Sequence, residues 1–224
     1  MFYSIGPFWD GNEVWLVTAG GATFAAFPPV YAGLFSWLYP LLLLILFSLI
    51  LRGAALEFRG KVGASAWKAF WERSAAVSSF AAAFLFGLLF GNIFRGLEIG
   101  PAGYRGTFSD LLNPYAFLTG LLFCAFFCFH GLLWLAVRTG GAVSAKAYSA
   151  AARAWYVLVA LVFVFFFSSW HWAGLYSGFS WLALPPFLCV ALLAAAGISL
   201  GRGYAGGAFF ASFASIVMFF VSVF

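Results

Sequence analysis

The chain has 224 residues, of which 65% are hydrophobic and 8% charged, a mean hydropathy of +1.04 and a formal net charge of +5. Soluble domains carry roughly a quarter of their residues as charges, so a water-soluble fold of this length is excluded: it could not cover its own surface. The eleven Lys and Arg fall mostly in short loops between apolar runs, which marks contact with a membrane surface and excludes a nucleic-acid footprint.

In chain order, residues 14–51 form a run of 38 without a formal charge. As one helix it would reach ~57 Å, nearly twice the ~30 Å hydrocarbon core of a bilayer. It is therefore expected to hold two spans, near 13–30 and 34–54, divided by Pro28-Pro29 and Gly33. Residues 74–94 form one span, and 111–137 another that begins after Asn113-Pro114, where proline suits a first helical turn. The 154–201 run is again too long for one helix and is expected to break within 172–178, a stretch rich in aromatics and glycine. Residues 203–224 make the last span. The expected architecture is all-α, a polytopic membrane bundle of seven transmembrane helices. No polar linker divides it, so 1–224 reads as a single membrane domain. Strands are not expected, because long apolar runs without alternation do not suit a membrane barrel.

Orientation follows from the loops. Arg52, Arg59, Lys61, Lys68, Arg73, Arg138, Lys146, Arg153 and Arg202 fall on one side, and Arg95 and Arg105 on the other. The positive-inside rule makes the first side cytoplasmic and puts Asp10 and Glu13, which precede the first span, there too. Trp and Tyr near span ends (Trp9, Trp15, Trp37, Tyr39, Trp170, Trp172, Tyr176, Trp181) suit interfacial belts, while the 31 Phe are lipid-facing and packing bulk. No cleavable signal peptide is evident. The chain is expected to be incomplete at both ends, since it opens directly into a helix and closes on an apolar run.

Few residues can carry chemistry. Asp10 and Glu13 are three apart and would share a face at a helix N-terminus. In a cap, Asp10 or Asn12 would bond free amides and the helix dipole would favour Glu13; as carriers the carboxylates would pass protons where water meets a dry interior. A metal site lacks a third local acid. His130 and His171 are expected at different depths, which argues against joint haem ligation; a hydrogen bond to a neighbouring backbone suits such a histidine better. Cys124, Cys128 and Cys189 read as small buried hydrophobes. The six small residues Thr18 to Thr23 suggest close helix packing, with a narrow water-lined path as the alternative. Lys61, Lys68 and Arg73 near Glu57 and Glu72 read as a solvated loop. No phosphate-cradling loop, nucleophile–base pair or metal cluster is recognisable.

The block Trp9-Asp10-Gly11-Asn12-Glu13-Val14-Trp15-Leu16, followed by Thr18-Ala19-Gly20-Gly21-Ala22, Phe24-Ala25-Ala26, Pro28 and Tyr31, resembles the best-known block of subunit II of cytochrome bd-type quinol oxidases. Gly91-Asn92, Leu111-Leu112-Asn113-Pro114-Tyr115, His130-Gly131 and Arg138-Thr139 extend the resemblance from about Pro7 to the end. It implies a heterodimer in the bacterial cytoplasmic membrane. Haem-bearing subunit I would hold haems b and d and the quinol-oxidising loop, with room for a small accessory subunit. Subunit II would bind no haem, support subunit I and help conduct cytoplasmic protons to the site of oxygen reduction, with Asp10 matching the carboxylate of that route. The family carries a further helix before this block and another after the point where this chain ends. A rival of another class is a fragment of a proton- or ion-coupled secondary transporter using Asp10 and Glu13 for coupling ions, although Pro28-Pro29 has no counterpart in a second half and no charge lies at midplane.

The charge asymmetry makes a testable statement: the loops at 57–68 and 139–149 face the cytoplasm. Single cysteines at Ser65 and Ser144 should resist a membrane-impermeant label applied outside intact cells, and one at Ser109 should react. The reverse pattern would invert the topology.

Overall fold

Proline sets the first breaks. In the computed structural model, which describes residues 2–100, 103–173 and 184–223, helix α1 (Phe2–Ala26) ends at Phe27, one residue before Pro28, where the proline ring pushes its predecessor out of the helical region. Pro28-Pro29 opens a ten-residue helix, α2 (Pro28–Trp37), and Pro40 sits in the first turn of α3 (Tyr39–Phe58), where its missing N–H costs nothing. The expected span at 34–54 is thereby displaced: the chain breaks at Leu38, and α3 starts later and ends later than foreseen.

The remaining helices are α4 (Ser65–Arg95), α5 (Pro114–Arg138), α6 (Gly141–Ser168), α7 (Leu184–Gly201) and α8 (Ala205–Val223). A π-helical turn, Ser169–Ala173, continues α6; the rest of the break expected within 172–178 lies outside the described residues, as do Tyr176 and Trp181. Between α4 and α5 lie a two-residue antiparallel ladder, Ile99–Gly100 with Gly103–Tyr104, and a 3-10 turn, Phe108–Leu112. The amide and hydroxyl of Thr107 both donate to Asp110 in that turn and hold its carboxyl below the ordinary range.

Among the described residues six helices, α3 to α8, are long and apolar enough to cross a membrane. The class agrees with expectation, but the count of seven does not. The span placed at 13–30 belongs to α1, which starts at Phe2 and has the length, yet Asp10, Asn12, Glu13 and four glycines leave it too polar to be counted with the others.

Consecutive helices α3 to α6 pack as antiparallel neighbours, and the α7–α8 hairpin closes onto α5. The joins after α3, α5 and α7 therefore share one end of the bundle, the end that carries most of the basic residues. The main core is aromatic: Phe129, Phe165 and Phe219 are fully buried, with Leu122, Leu133 and Leu158 between them. A second cluster, Leu38, Leu41, Ile45, Leu88 and Leu111, joins α3 to α4.

Helices α4 and α5 approach one another closely. A Cβ on Gly87 would lie 2.5 Å from the Cα of Gly120 and 2.6 Å from the Thr119 carbonyl, and one on Gly91 would lie 2.7 Å from the Cα of Ala116. Backbone meets backbone there, as small residues permit in membrane helix pairs. The contact ends in a polar lock. Buried Asn92 donates to the carbonyls of Leu88 and Leu111, each at 2.8 Å, and accepts from Asn113 at 2.9 Å. Asn113 in turn caps α5 by accepting from the Ala116 amide at 2.9 Å, one residue before Pro114. On the other flank Trp155 of α6 lies against Gly197 of α7 and donates to the Leu193 carbonyl at 2.8 Å.

The small-residue run in α1 packs otherwise than expected. A Cβ on Gly21 would meet nothing within 4 Å, and one on Gly20 would meet only the ring of Phe35 at 3.9 Å. Thr18 and Thr23 donate to carbonyls of their own helix. Close packing by glycine occurs instead between α4 and α5, because α1 makes its main described packing contact with short α2.

Gly87→Ala should lower the thermal stability of the detergent-solubilised protein by about 1–3 kcal/mol, because the methyl group meets backbone that cannot rotate away. Gly131→Ala, with nothing within 4 Å of the added carbon, is the control and should be neutral or slightly stabilising. Equal melting of the two variants would remove the α4–α5 contact as a determinant of the fold.

Candidate functional site: carboxylates at the basic end

Asp10 and Glu13 lie one turn apart well inside α1. The capping reading is overturned: the helix starts at Phe2, so neither residue stands beside free amides. Glu13 reaches α3, where its Oε1 accepts from Arg52 at 2.5 Å through Nη2 and at 3.2 Å through Nε, in a half-buried pair. Because Arg52 lies near the C-terminal end of α3, this pair puts Glu13 at the basic end of the bundle. Trp9 supports the same contact, its ring standing 3.3 Å from where a Cβ of Gly53 would be. Asp10 differs: it is exposed and has no hydrogen-bond or ion-pair partner among the described residues.

The face of α1 that carries Ile5, Trp9 and Asn12 borders two cavities. One, of about 810 Å³, lies toward α3 and α4 and is lined also by Arg52, Arg59, Glu72 and Ser79. The other, of about 430 Å³, lies toward α5 and α8 and is lined by His130, Trp134 and Phe209. On the wall of the larger cavity Arg59 donates to Glu72 through two nitrogens, so Glu72 is held in a pair rather than being only part of a solvated loop. Complementary charges at the end of one helix and the start of the next are the sequence signal for that pair. Glu13 and Arg52 are 39 residues apart and offer no local signal.

The two histidines have separate surroundings. His130 Nδ1 lies 3.2 Å from the Oγ of buried Ser212, and its ring stacks on Phe209 at 4.4 Å. Its partner is thus a side chain of α8 and not the backbone bond expected. His171 is exposed on the π turn and stacks on Phe167. Among the described residues no group of three or more His, Cys, Asp or Glu is assembled for a metal. Cys189 is buried, Cys124 half-buried and Cys128 exposed, so the reading of all three as buried hydrophobes holds fully for one.

The profile of the cytochrome bd terminal oxidase subunit II family matches residues 1–224, the whole chain. A probable cytochrome oxidase subunit 2 of Haemophilus influenzae is 41% identical over 152 residues, covering 66% of this chain and 40% of that protein. The cytochrome bd-I ubiquinol oxidase subunit 2 of Escherichia coli is 39% identical over 146 residues, 63% of this chain and 38% of that protein. The cytochrome bd ubiquinol oxidase subunit 2 of Bacillus subtilis is 39% identical over 164 residues, 72% of this chain and 48% of that protein. The matched stretch spans less than half the length of each of these relatives.

The Glu13–Arg52 pair ties α1 to α3, so removing one partner should loosen α1 alone. Arg52→Gln is expected to raise amide exchange in α1 about fivefold, the equivalent of ~1 kcal/mol for a partly exposed pair, and to leave α5 to α8 unchanged. Unaltered protection of α1 would show that the pair contributes nothing to its position.

Proposed function

The chain belongs to the cytochrome bd terminal oxidase subunit II family, and from that premise we propose that it serves as the non-haem subunit of a quinol:oxygen oxidoreductase of the aerobic respiratory chain. It works beside haem-bearing subunit I in the cytoplasmic membrane. It supports that partner and helps deliver cytoplasmic protons for the reduction of oxygen to water. Quinol is the substrate of the complex, and haems b and d reside in the partner.

The two histidines do not suit a haem of this chain's own. His130 is engaged by Ser212 and covered on one ring face by Phe209, and His171 stands on an exposed turn. The contribution of this chain is to protons, and the observation that carries the reading is the unequal state of two carboxylates one turn apart. Glu13 is committed to Arg52, whereas Asp10 is exposed and without a partner among the described residues. Proton transfer needs a group that water can reach and that is not held by a fixed partner, and of the two carboxylates Asp10 is the one so placed. Asp10 therefore carries the proton at its carboxylate oxygens. Glu13 fixes the helix that bears it and keeps a negative charge nearby. Oxygen reduction consumes protons, and drawing them from the basic, cytoplasmic end makes turnover charge-separating across the membrane.

Asp10→Asn keeps size and hydrogen-bonding capacity and cannot ionise. Since Asp10 lies in the interior of a helix, the exchange has little structural effect. In the full-length subunit assembled with its partner, haem spectra and yield should be unchanged while quinol-driven oxygen consumption falls by an order of magnitude or more. Near-normal turnover would sink the proton role and leave the chain as a scaffold.

A further inference from the structure

Charge is distributed unevenly along the chain. Residues 1–113 hold seven of the eleven Lys and Arg and all six acidic residues; residues 114–224 hold four cations, Arg138, Lys146, Arg153 and Arg202, and no acid. In the first half Arg52 and Arg59 are closed onto Glu13 and Glu72. In the second half Lys146 and Arg153 are exposed and have no hydrogen-bond or ion-pair partner among the described residues.

Both belong to α6. They are seven residues apart, two turns or ~10.5 Å along one helix face. The buried stripe of α6, Ala147, Ala151, Leu158, Val162 and Phe165, turns into the bundle, and Lys146 and Arg153 lie on the opposite side. Beyond Arg153 the same outer side continues as Tyr156, Val157, Val164 and Phe167, each between 50% and 75% exposed. From Arg153 to Phe167 this stripe is ~21 Å long, enough to line one leaflet of a hydrocarbon core ~30 Å thick. Arg153 is also the last charge before the apolar run 154–201, which sets it at the hydrocarbon boundary on the cytoplasmic side.

We propose that the outer face of α6 is a binding site for an anionic phospholipid of the cytoplasmic leaflet. The phosphodiester lies between the Lys146 ammonium and the Arg153 guanidinium, and an acyl chain runs along Tyr156, Val157 and Val164. Long cationic side chains reach outward to headgroup level while their stems stay on apolar surface, and a guanidinium offers a paired fork to phosphate oxygens. Basic residues just cytoplasmic of a span attract anionic headgroups. Here no acid on the same half of the chain competes for them. An acidic soluble partner would reach the two cations but leave the apolar stripe uncovered; a lipid of this charge covers both.

The test uses the full-length subunit in its assembled complex, placed in nanodiscs of equal phosphatidylcholine and phosphatidylglycerol, with retained lipids counted by native mass spectrometry. The wild type should retain phosphatidylglycerol preferentially. The variant Lys146→Gln/Arg153→Gln should retain one molecule fewer, with affinity reduced about fivefold for each cation removed. Arg73→Gln, which removes an exposed cation of the first half, should retain the full number. The charge-preserving swap Lys146→Arg/Arg153→Lys should do so too, which separates loss of the site from loss of the fold. Equal retention of the two lipids by the wild type would overturn the proposal, as would unchanged phosphatidylglycerol in the double Gln variant. So would a photoreactive group at Val157 that captures a protein subunit instead of lipid.

Discussion

Everything in this bundle is arranged around the place where α4 and α5 touch backbone to backbone. Lipid tails are as apolar as leucine, so burying leucine between helices yields little in a bilayer, and association depends on close van der Waals contact and satisfied hydrogen bonds. Gly87, Gly91 and Gly120 supply the first. Asn92 and Asn113 supply the second at the same crossing, using the carbonyls of Leu88 and Leu111 and the Ala116 amide. With this pair set, α3 can lay Leu41 and Ile45 against α4, and the phenylalanine core can form between α5, α6 and α8.

Helix α1 obeys a different logic. It is held at its polar half by one ion pair to α3 and by aromatic contacts such as Phe8 with Trp134, and most of its length is exposed. This helix, so weakly bound to its own chain, carries one paired carboxylate and one that is exposed and without a partner among the described residues, and cavities lie along it on two sides. The different surroundings of Glu13 and Asp10 arise from helix rotation, which turns one toward Arg52 and leaves the other exposed.

The two halves of the chain also differ in how they meet charge at the basic end. The first half neutralises Arg52 and Arg59 internally through Glu13 and Glu72. The second half has no acid with which to do so, so Lys146 and Arg153 turn outward. One membrane face thus uses internal ion pairs on one side and an outward cationic surface on the other.

The class of the protein, its membrane setting and the carboxylates of interest were all legible in the sequence, because hydrocarbon thickness and the cost of charge translate directly into run lengths and the placement of Asp10 and Glu13. The start of α5 after Asn113 was legible too, because Pro114 suits a first helical turn. The boundaries of α1, α2 and α3 were not, since Pro40 and the helical content of residues 2–13 decide them against the simple reading of a charge-free run. Nor was the state of each carboxylate: Arg52 lies 39 residues from Glu13, and Ser212 lies 82 residues from His130. The small residues were read in the wrong helix for a related reason. Composition says that a helix can be approached closely, but which helix comes close depends on packing partners. Spacing along a chain reports only on interactions within a few turns, and the long-range pairs that tie down one carboxylate and leave its neighbour exposed exist only once the helices have packed.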